Sequence, residues 1–368
     1  YESVMPGTRL ADHEKAADAL AELDAPVAEQ ARHLVLAARP GDLRAARVIG
    51  EAATEAQASA PSLAASWSDA ALRLLPPGEK EFRLHVLMVK AQATAAVSRF
   101  EEARSSLLQA IDLLDEDQVE MRVNLTAGCA SIEDLLGQHE VANDRLTGLL
   151  SELEDLGSPQ AIEVMLNLAR DAFLRNDSEA QTRWSERALG ATLEQEDPDP
   201  HQVAVAKATR SICASFTGPI DLARRLVDEA GELYDSFDQE SLDRTVFGLA
   251  LLSGAALYLE RFEDTIRYGQ IALDASRRTG QGQNFPMLYP CIGTAGTALG
   301  KFEVAREVLD DSIDSARLSH NQQSLAWSLF NRAMLAQAEG DLALADQLSA
   351  ESVALLAEQD EGLISMWA

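Results

Sequence analysis

Gly300-Lys301-Phe302-Glu303-Val304-Ala305 decides the fold, because the same spacing returns along most of the chain. The other copies are Ser98-Arg99-Phe100-Glu101-Glu102-Ala103, Gly137-Gln138-His139-Glu140-Val141-Ala142, Gly218-Pro219-Ile220-Asp221-Leu222-Ala223, Glu260-Arg261-Phe262-Glu263-Asp264-Thr265 and Gly340-Asp341-Leu342-Ala343-Leu344-Ala345. Their shared template is small-x-hydrophobic-x-x-Ala. A weaker copy runs Asn176-Asp177-Ser178-Glu179-Ala180-Gln181, supported by Ala188 where other copies carry Ala110, Ala230, Ala272, Ser312 and Ser352. From Ala103 through Ala142, Gln181, Ala223, Thr265 and Ala305 to Ala345 the steps are 39, 39, 42, 42, 40 and 40 residues. A period near forty marks stacked helix hairpins.

The template has a physical reading. A turn residue such as Gly137 or Gly300 lets helix A stop and helix B start. The hydrophobic residue two positions on (Phe100, Phe262, Phe302) plugs the hairpin, and the alanine lets two helix axes approach closely. One hairpin cannot bury its apolar face alone, so the hairpins must stack. Ala, Leu, Glu, Arg and Gln dominate almost every window, and period-two strand patterns are absent. The predicted fold class is therefore all-α, a right-handed superhelical solenoid of helix hairpins.

Outward from the repeats, 41–60 and 61–75 read as one more hairpin, with Pro61 at a helix start and Pro76-Pro77-Gly78 as a stop. Asp197-Pro198-Asp199-Pro200 and Gly280-Gln281-Gly282-Gln283-Asn284-Phe285-Pro286 read as loops, and Ser158-Pro159 as an N-cap followed by a first-turn proline. Pro290 predicts a helix that starts late or is kinked near Tyr289. Residues 41–368 are expected to hold about eight hairpins. Because the chain opens on Tyr1 and closes on Met366-Trp367-Ala368, it reads as a piece of a longer protein.

Composition narrows the function. The 368 residues carry 31 Lys+Arg against 60 Asp+Glu, a formal charge of −29, with 46% hydrophobic and 5% aromatic residues. Hydrophobic content is too high for disorder, and apolar runs such as 249–259 fall short of a membrane span. A charge of this sign repels phosphate backbones and anionic lipid, which argues against direct nucleic-acid or membrane contact by this segment. Cys129, Cys213 and Cys291 are too far apart for a CxxC knuckle, so a reducing cytoplasm is expected.

No motif for catalysis emerges, and the expectation is a protein that is not an enzyme. Among His13, His33, His85, His139, His201 and His320, no two stand at i, i+4 and none follows a Glu by three. No catalytic or metal-ligating residue is assigned, and structural or exposed roles are expected for these histidines. The run Gly293-Thr294-Ala295-Gly296-Thr297-Ala298-Leu299-Gly300-Lys301-Phe302 imitates a phosphate loop. It has Ala295 where the first glycine belongs and Phe302 where Ser/Thr belongs, and no strand precedes it. Its small residues are expected to pack helix A on its partner.

Binding is the better expectation. Trp67 and Trp184 fall in helix B patterns and suit core or inter-repeat packing. Trp327, Phe330 and Met334 share one face of a helix A, and the A helices of such arrays line the concave side. The same register places His85, Met88 and Gln92, then Asn124 and Ser131, then Arg170, Phe247, Met287 and Thr294 on that side. The mixture suits a small polar ligand or a peptide in the concave groove; packing of neighbouring helices is the alternative role for the same residues.

Further stretches carry a family resemblance. Tyr1-Glu2-Ser3-Val4-Met5-Pro6-Gly7-Thr8-Arg9-Leu10-Ala11-Asp12-His13, followed by Ala16-Ala17-Asp18-Ala19-Leu20, resembles the end of the winged helix in actinobacterial LuxR-type regulators of the large ATP-binding, signalling-ATPase class. His33-Leu34-Val35-Leu36-Ala37-Ala38-Arg39-Pro40-Gly41-Asp42, Ala70-Ala71-Leu72-Arg73-Leu74-Leu75-Pro76 and Arg183-Trp184-Ser185-Glu186-Arg187-Ala188-Leu189 are similar to that family too. The resemblance implies that 1–40 end a winged-helix and linker region and that 41–368 form a tetratricopeptide-like sensor. It also implies that a small-molecule inducer, a protein or a peptide, or other domains of the parent are the partners. No cofactor is expected in this chain, ATP belonging to an upstream domain and DNA binding to a downstream one. The repeats depart from the tetratricopeptide pattern in lacking its proline at the end of helix B and much of its Trp/Tyr signature. The other reading is a free-standing tetratricopeptide-type interaction scaffold.

Overall fold

The computed structural model describes residues 6–175, 177–318 and 321–357; Tyr1–Met5, Asn176, Ser319, His320 and 358–368, on which some of the expectations above fall, lie outside them. Among the described residues the regular structure is helical throughout. The chain divides into two compact units at Leu136/Gly137.

The first unit holds α1 (Pro6–Glu22), α2 (Val27–Ala37), α3 (Leu43–Ala56), α4 (Pro61–Leu74), α5 (Lys80–Ala96), α6 (Phe100–Asp112) and α7 (Val119–Leu135). Pro61 opens α4, and the chain leaves the helix at Leu75, ahead of the Pro76-Pro77-Gly78 stop. The core is built from small residues, with Ala31, Ala46, Ala52, Ala53 and Ala71 fully buried around Ile49 and Trp67.

The second unit holds α8 (His139–Glu152), α9 (Pro159–Leu174), α10 (Ser178–Leu193), α11 (Pro200–Thr217), α12 (Ile220–Ser236), α13 (Gln239–Arg244), α14 (Val246–Tyr258), α15 (Phe262–Thr279), α16 (Phe285–Ala298), α17 (Phe302–Leu318), α18 (Gln322–Glu339) and α19 (Leu342–Ala357). Ser158, Asp177 and Asn321 cap α9, α10 and α18 by accepting a backbone N–H three residues on. Each satisfies a donor that the first turn cannot.

The template behaves as its spacing demands up to the last copy, where Ala345 is only half-buried. Ala103, Ala142, Ala223, Thr265 and Ala305 are fully buried, and so are Ala110, Ala188, Ala230 and Ala272 one register later. Gly137, Gly300 and Gly340 take the left-handed conformation at the turn, with φ of 72°, 69° and 86°. Ser98 and Glu260 hold the same position with φ of 59° and 60°, at a cost of about 1–2 kcal/mol each that the hairpin contacts must offset. Gly218 is different: its backbone is extended, and Pro219 stands at the N-cap position of the next helix, where its backbone carbonyl accepts from the Leu222 and Ala223 N–H groups.

The imitation phosphate loop runs from the second half of α16 through the Gly300 turn to the first residue of α17. A Cβ on Gly293 would stand 2.5 Å from Leu309 Cγ, and one on Gly296 3.1 Å from Ala305 Cβ. These glycines are where α17 presses onto α16. Pro290 sits within α16, following a short 3-10 turn at Gly282–Asn284; its missing N–H forfeits the bond to the Pro286 carbonyl.

In the second unit α11, α14, α16 and α18 pack against one another in sequence, while α12, α15 and α17 pack against them from one side. This A layer forms the inner face of the hairpin array in the second unit, since successive A helices touch directly.

Candidate functional site

The inner face of the second unit is a period-40 stripe. Phe247, Leu251, Gly254 and Tyr258 on α14 stand at i, i+4, i+7 and i+11 along one helix face. Forty residues on, α16 carries Met287, Cys291, Thr294 and Ala298, and α18 carries Trp327, Asn331, Met334 and Ala338. Unlike the opposite face, the stripe is incompletely covered: Tyr258 is 38% and Met334 49% exposed, and Phe247, Met287, Thr294, Trp327 and Phe330 are half-buried.

Seven of the expected residues fall here: Arg170, Phe247, Met287, Thr294, Trp327, Phe330 and Met334. The Arg170 guanidinium of α9 lies 5.7 Å from the Phe247 ring centroid, a cation–π contact between helices separated in sequence by all of α10 to α13. Thr294 Oγ1 donates to Asn331 Oδ1 at 2.6 Å, and Asn331 Nδ2 donates to the Trp327 carbonyl at 2.8 Å. Trp327 and Phe330 have ring centroids 6.2 Å apart. Met287 and Phe247 also pack on the central apolar cluster, so both serve stability as well as the face.

Five more lie in the first unit, His85, Met88 and Gln92 on α5 and Asn124 and Ser131 on α7. The His85 ring nitrogen Nε2 is 3.1 Å from Thr54 Oγ1 and its ring stacks on Phe82. Gln92 Oε1 accepts from Gln57 Nε2. Asn124 is exposed, and Ser131 Oγ donates to the Ala127 carbonyl of its own helix.

The structure adds a row that the spacing alone did not single out. Phe173 packs edge-on against Phe216 at 5.4 Å, and Phe216 against Tyr258 at 4.2 Å, linking α9, α11 and α14 at their C-terminal ends. The signal was present as an aromatic every 42 to 43 residues, but it falls outside the template. The row stops at Ala298, which is exposed. Trp67 is buried at 4% exposure. Trp184, expected in packing, is half-buried on α10, with Arg183 and Arg187 at 5.3 and 5.8 Å from its ring.

Two thiols border this region. Burial pushes Cys291 up to about 12 and Cys213 up to about 11, the Ser185 hydroxyl and the Arg210 guanidinium pulling only partly against it in the second case. Both thiols are therefore neutral at pH 8. Iodoacetamide at pH 8 is expected to label them at least ~100-fold more slowly in the folded chain than in urea, because the thiolate is the nucleophile. Peptide mass mapping over time checks this, and equal labelling rates would refute it.

No protein-family model and no curated protein matches the chain. Among solved structures, a Rap protein complexed with competence and sporulation factor superposes with a TM-score of 0.55 at 12% identity, covering 96% of this chain and 99% of that one. A signal transduction ATPase with numerous domains and a tetratricopeptide repeat sensor, from Pyrococcus horikoshii, is similar at 11% identity and TM-score 0.43, over 94% of this chain and 52% of that one. Aspartyl phosphate phosphatase F from Bacillus subtilis is similar at 13% identity and TM-score 0.40, over 82% of each. The likeness to the Rap protein shows the fold, an all-α array of helix hairpins. No helix among the described residues is long and apolar enough to cross a membrane.

Proposed function

We propose that the chain is a non-catalytic binding arm that takes up a peptide or partner segment along the inner stripe of its second unit. One observation carries this reading: Phe247, Met287 and Trp327 hold the same register on α14, α16 and α18, and together with Thr294 and Met334 they stay partly open. Phe247, Met287 and Trp327 offer apolar contact, while the half-buried Thr294 hydroxyl, which donates to the buried Asn331 amide, keeps its oxygen as an acceptor for a polar backbone. Such a mixture suits an extended segment more than a compact polar metabolite. The Rap complex supports it by analogy, being a fold of this kind with a factor bound.

The finer proposal follows the resemblance in the sequence. The chain would be the sensor of a LuxR-type, ATP-dependent transcriptional regulator, working in the cytoplasm. ATP would bind an upstream domain and DNA a downstream one. The ligand would act by differential affinity, shifting the parent between a closed resting form and an open, self-associating one.

Thermal unfolding of the chain against peptides, metabolites and the parent's ATPase module tests the binding claim. A true ligand at a hundred times its Kd should stabilise by about 2.7 kcal/mol. Trp327→Ala and Met334→Glu should each weaken it at least ~10-fold, as loss of a central contact does. A ligand whose shift survives both variants would move the site elsewhere. Reading the gene's open frame outward tests the parent: a GxxxxGK[ST] loop upstream and a helix-turn-helix downstream are expected, and their absence would leave a free-standing scaffold.

A further inference from the structure

Two histidines twenty residues apart meet in the first hairpin. Leu23 to Pro26 turn the chain between α1 and α2, with Asp24 at a φ of 50° and Gln30 Nε2 donating to the Ala25 carbonyl at 2.8 Å. Ala17 and Ala31, at 1% and 0% exposure, let the two axes close together. His13 stands one turn before Ala17, and His33 two residues after Ala31. Their Nδ1 atoms are 2.9 Å apart and the ring centroids 5.1 Å apart, both rings being half-buried.

We propose that His13 and His33 form a two-imidazole site for a divalent transition cation, with cupric ion preferred. The argument is geometric. Metal–nitrogen bonds near 2.0 Å put two cis ligands of a tetragonal ion about 2.8 Å apart, whereas a tetrahedral zinc ion wants about 3.3 Å. The separation found matches the first. Neutral imidazoles are good ligands for copper, which also heads the affinity order of the divalent first-row ions. In the hydrogen bond one Nδ1 carries the proton and the other accepts it, so binding moves that proton to the donor ring's Nε2 and turns the two lone pairs toward one ion at nearly unchanged separation, with water completing the sphere. A net charge of −29 raises the local cation concentration. The cation would fasten α1 to α2 and so stabilise the start of the first unit.

The test titrates the full chain with copper(II) chloride in a non-chelating buffer, followed by calorimetry and electron paramagnetic resonance. One equivalent should bind tighter than ~10 μM, with a tetragonal spectrum split by two imidazole nitrogens. Loss of an outer partner of a metal ligand already weakens sites 10–100-fold, so His13→Gln and His33→Gln should each cost at least ~100-fold. His201→Gln should cost nothing. Circular dichroism of each variant separates ligand loss from unfolding, and nickel(II) chloride gives the same site weaker. An equivalent that persists in both variants, a spectrum with a single nitrogen, or zinc bound more tightly than copper would overturn the proposal.

Discussion

Gly293→Val is expected to destabilise the chain by about 3 kcal/mol. The position is helical, so glycine costs roughly 0.5–1 kcal/mol there relative to alanine, and by propensity alone a side chain would help. Packing decides the opposite. A Cβ at 293 would lie 2.5, 2.6 and 2.9 Å from Leu309 Cγ, Cδ2 and Cδ1, all inside van der Waals contact. Leu309 is fully buried and its Cγ is a branch point rather than a flexible tip, so α16 and α17 must separate. Even Gly293→Ala should cost roughly 1–2 kcal/mol on this account. Urea unfolding reads the loss as a fall in midpoint with little change in slope. The double variant Gly293→Ala/Leu309→Ala supplies the check. Leu309→Ala alone should cost about 2–5 kcal/mol by leaving a cavity, which the new methyl partly fills, so the pair should be less destabilising than the sum by about 1 kcal/mol. Simple additivity would mean that the clash is relieved elsewhere.

Arg175→Met is expected to cost about 3 kcal/mol. The Asp171 carboxylate is fully buried in the second unit, accepting from Asn143 Nδ2 at 2.8 Å and from Arg175 Nε at 3.0 Å. Removing the guanidinium takes a hydrogen-bonded positive charge from a carboxylate that cannot reach bulk water, and the lost compensation of its desolvation is what the variant exposes. Exposed pairs such as Arg44–Asp18, at 2.7 Å but with both side chains more than half exposed, are screened and contribute ~0–1 kcal/mol. The same substitution made in an Asp171→Asn background should cost about 1 kcal/mol, since no buried charge remains to be left behind. Thermal unfolding of the four proteins gives the coupling, expected near ~2 kcal/mol. A value near zero would mean that other neighbours of Asp171 carry its charge without the arginine.

How much of this was legible differs by residue. The hairpins were readable because their constraints are local or periodic. Gly300 must take a left-handed turn, and Ala305 must be small for α17 to lie on α16; the small residue returns about every forty residues, and the left-handed turn returns at Ser98, Gly137, Glu260 and Gly340 but not at the extended Gly218. The imitation phosphate loop could be dismissed on its spacing, and Gly293 and Gly296 lie against Leu309 and Ala305. Candidates such as Trp327 and Thr294 came from extending one register along the A helices, and that register returns on α14, α16 and α18. Phe173, Phe216 and Tyr258 escaped because their steps of 43 and 42 lie outside the template. Trp184, read from its helix B register as a packing residue, is half-buried, with Arg183 and Arg187 lying over its ring.

The sequence by itself determined the all-helical class, the forty-residue period, the turns and the buried small residues, since these follow from backbone sterics and from faces that recur with the helix. Only the tertiary structure decided which side chains meet across helices. The Arg170–Phe247 contact, the Phe173–Phe216–Tyr258 row, the Asp171–Arg175–Asn143 cluster and the His13–His33 pair depend on interaxial distance and rotation. Those are set by many small packing contacts summed over whole helices, and no short motif encodes them.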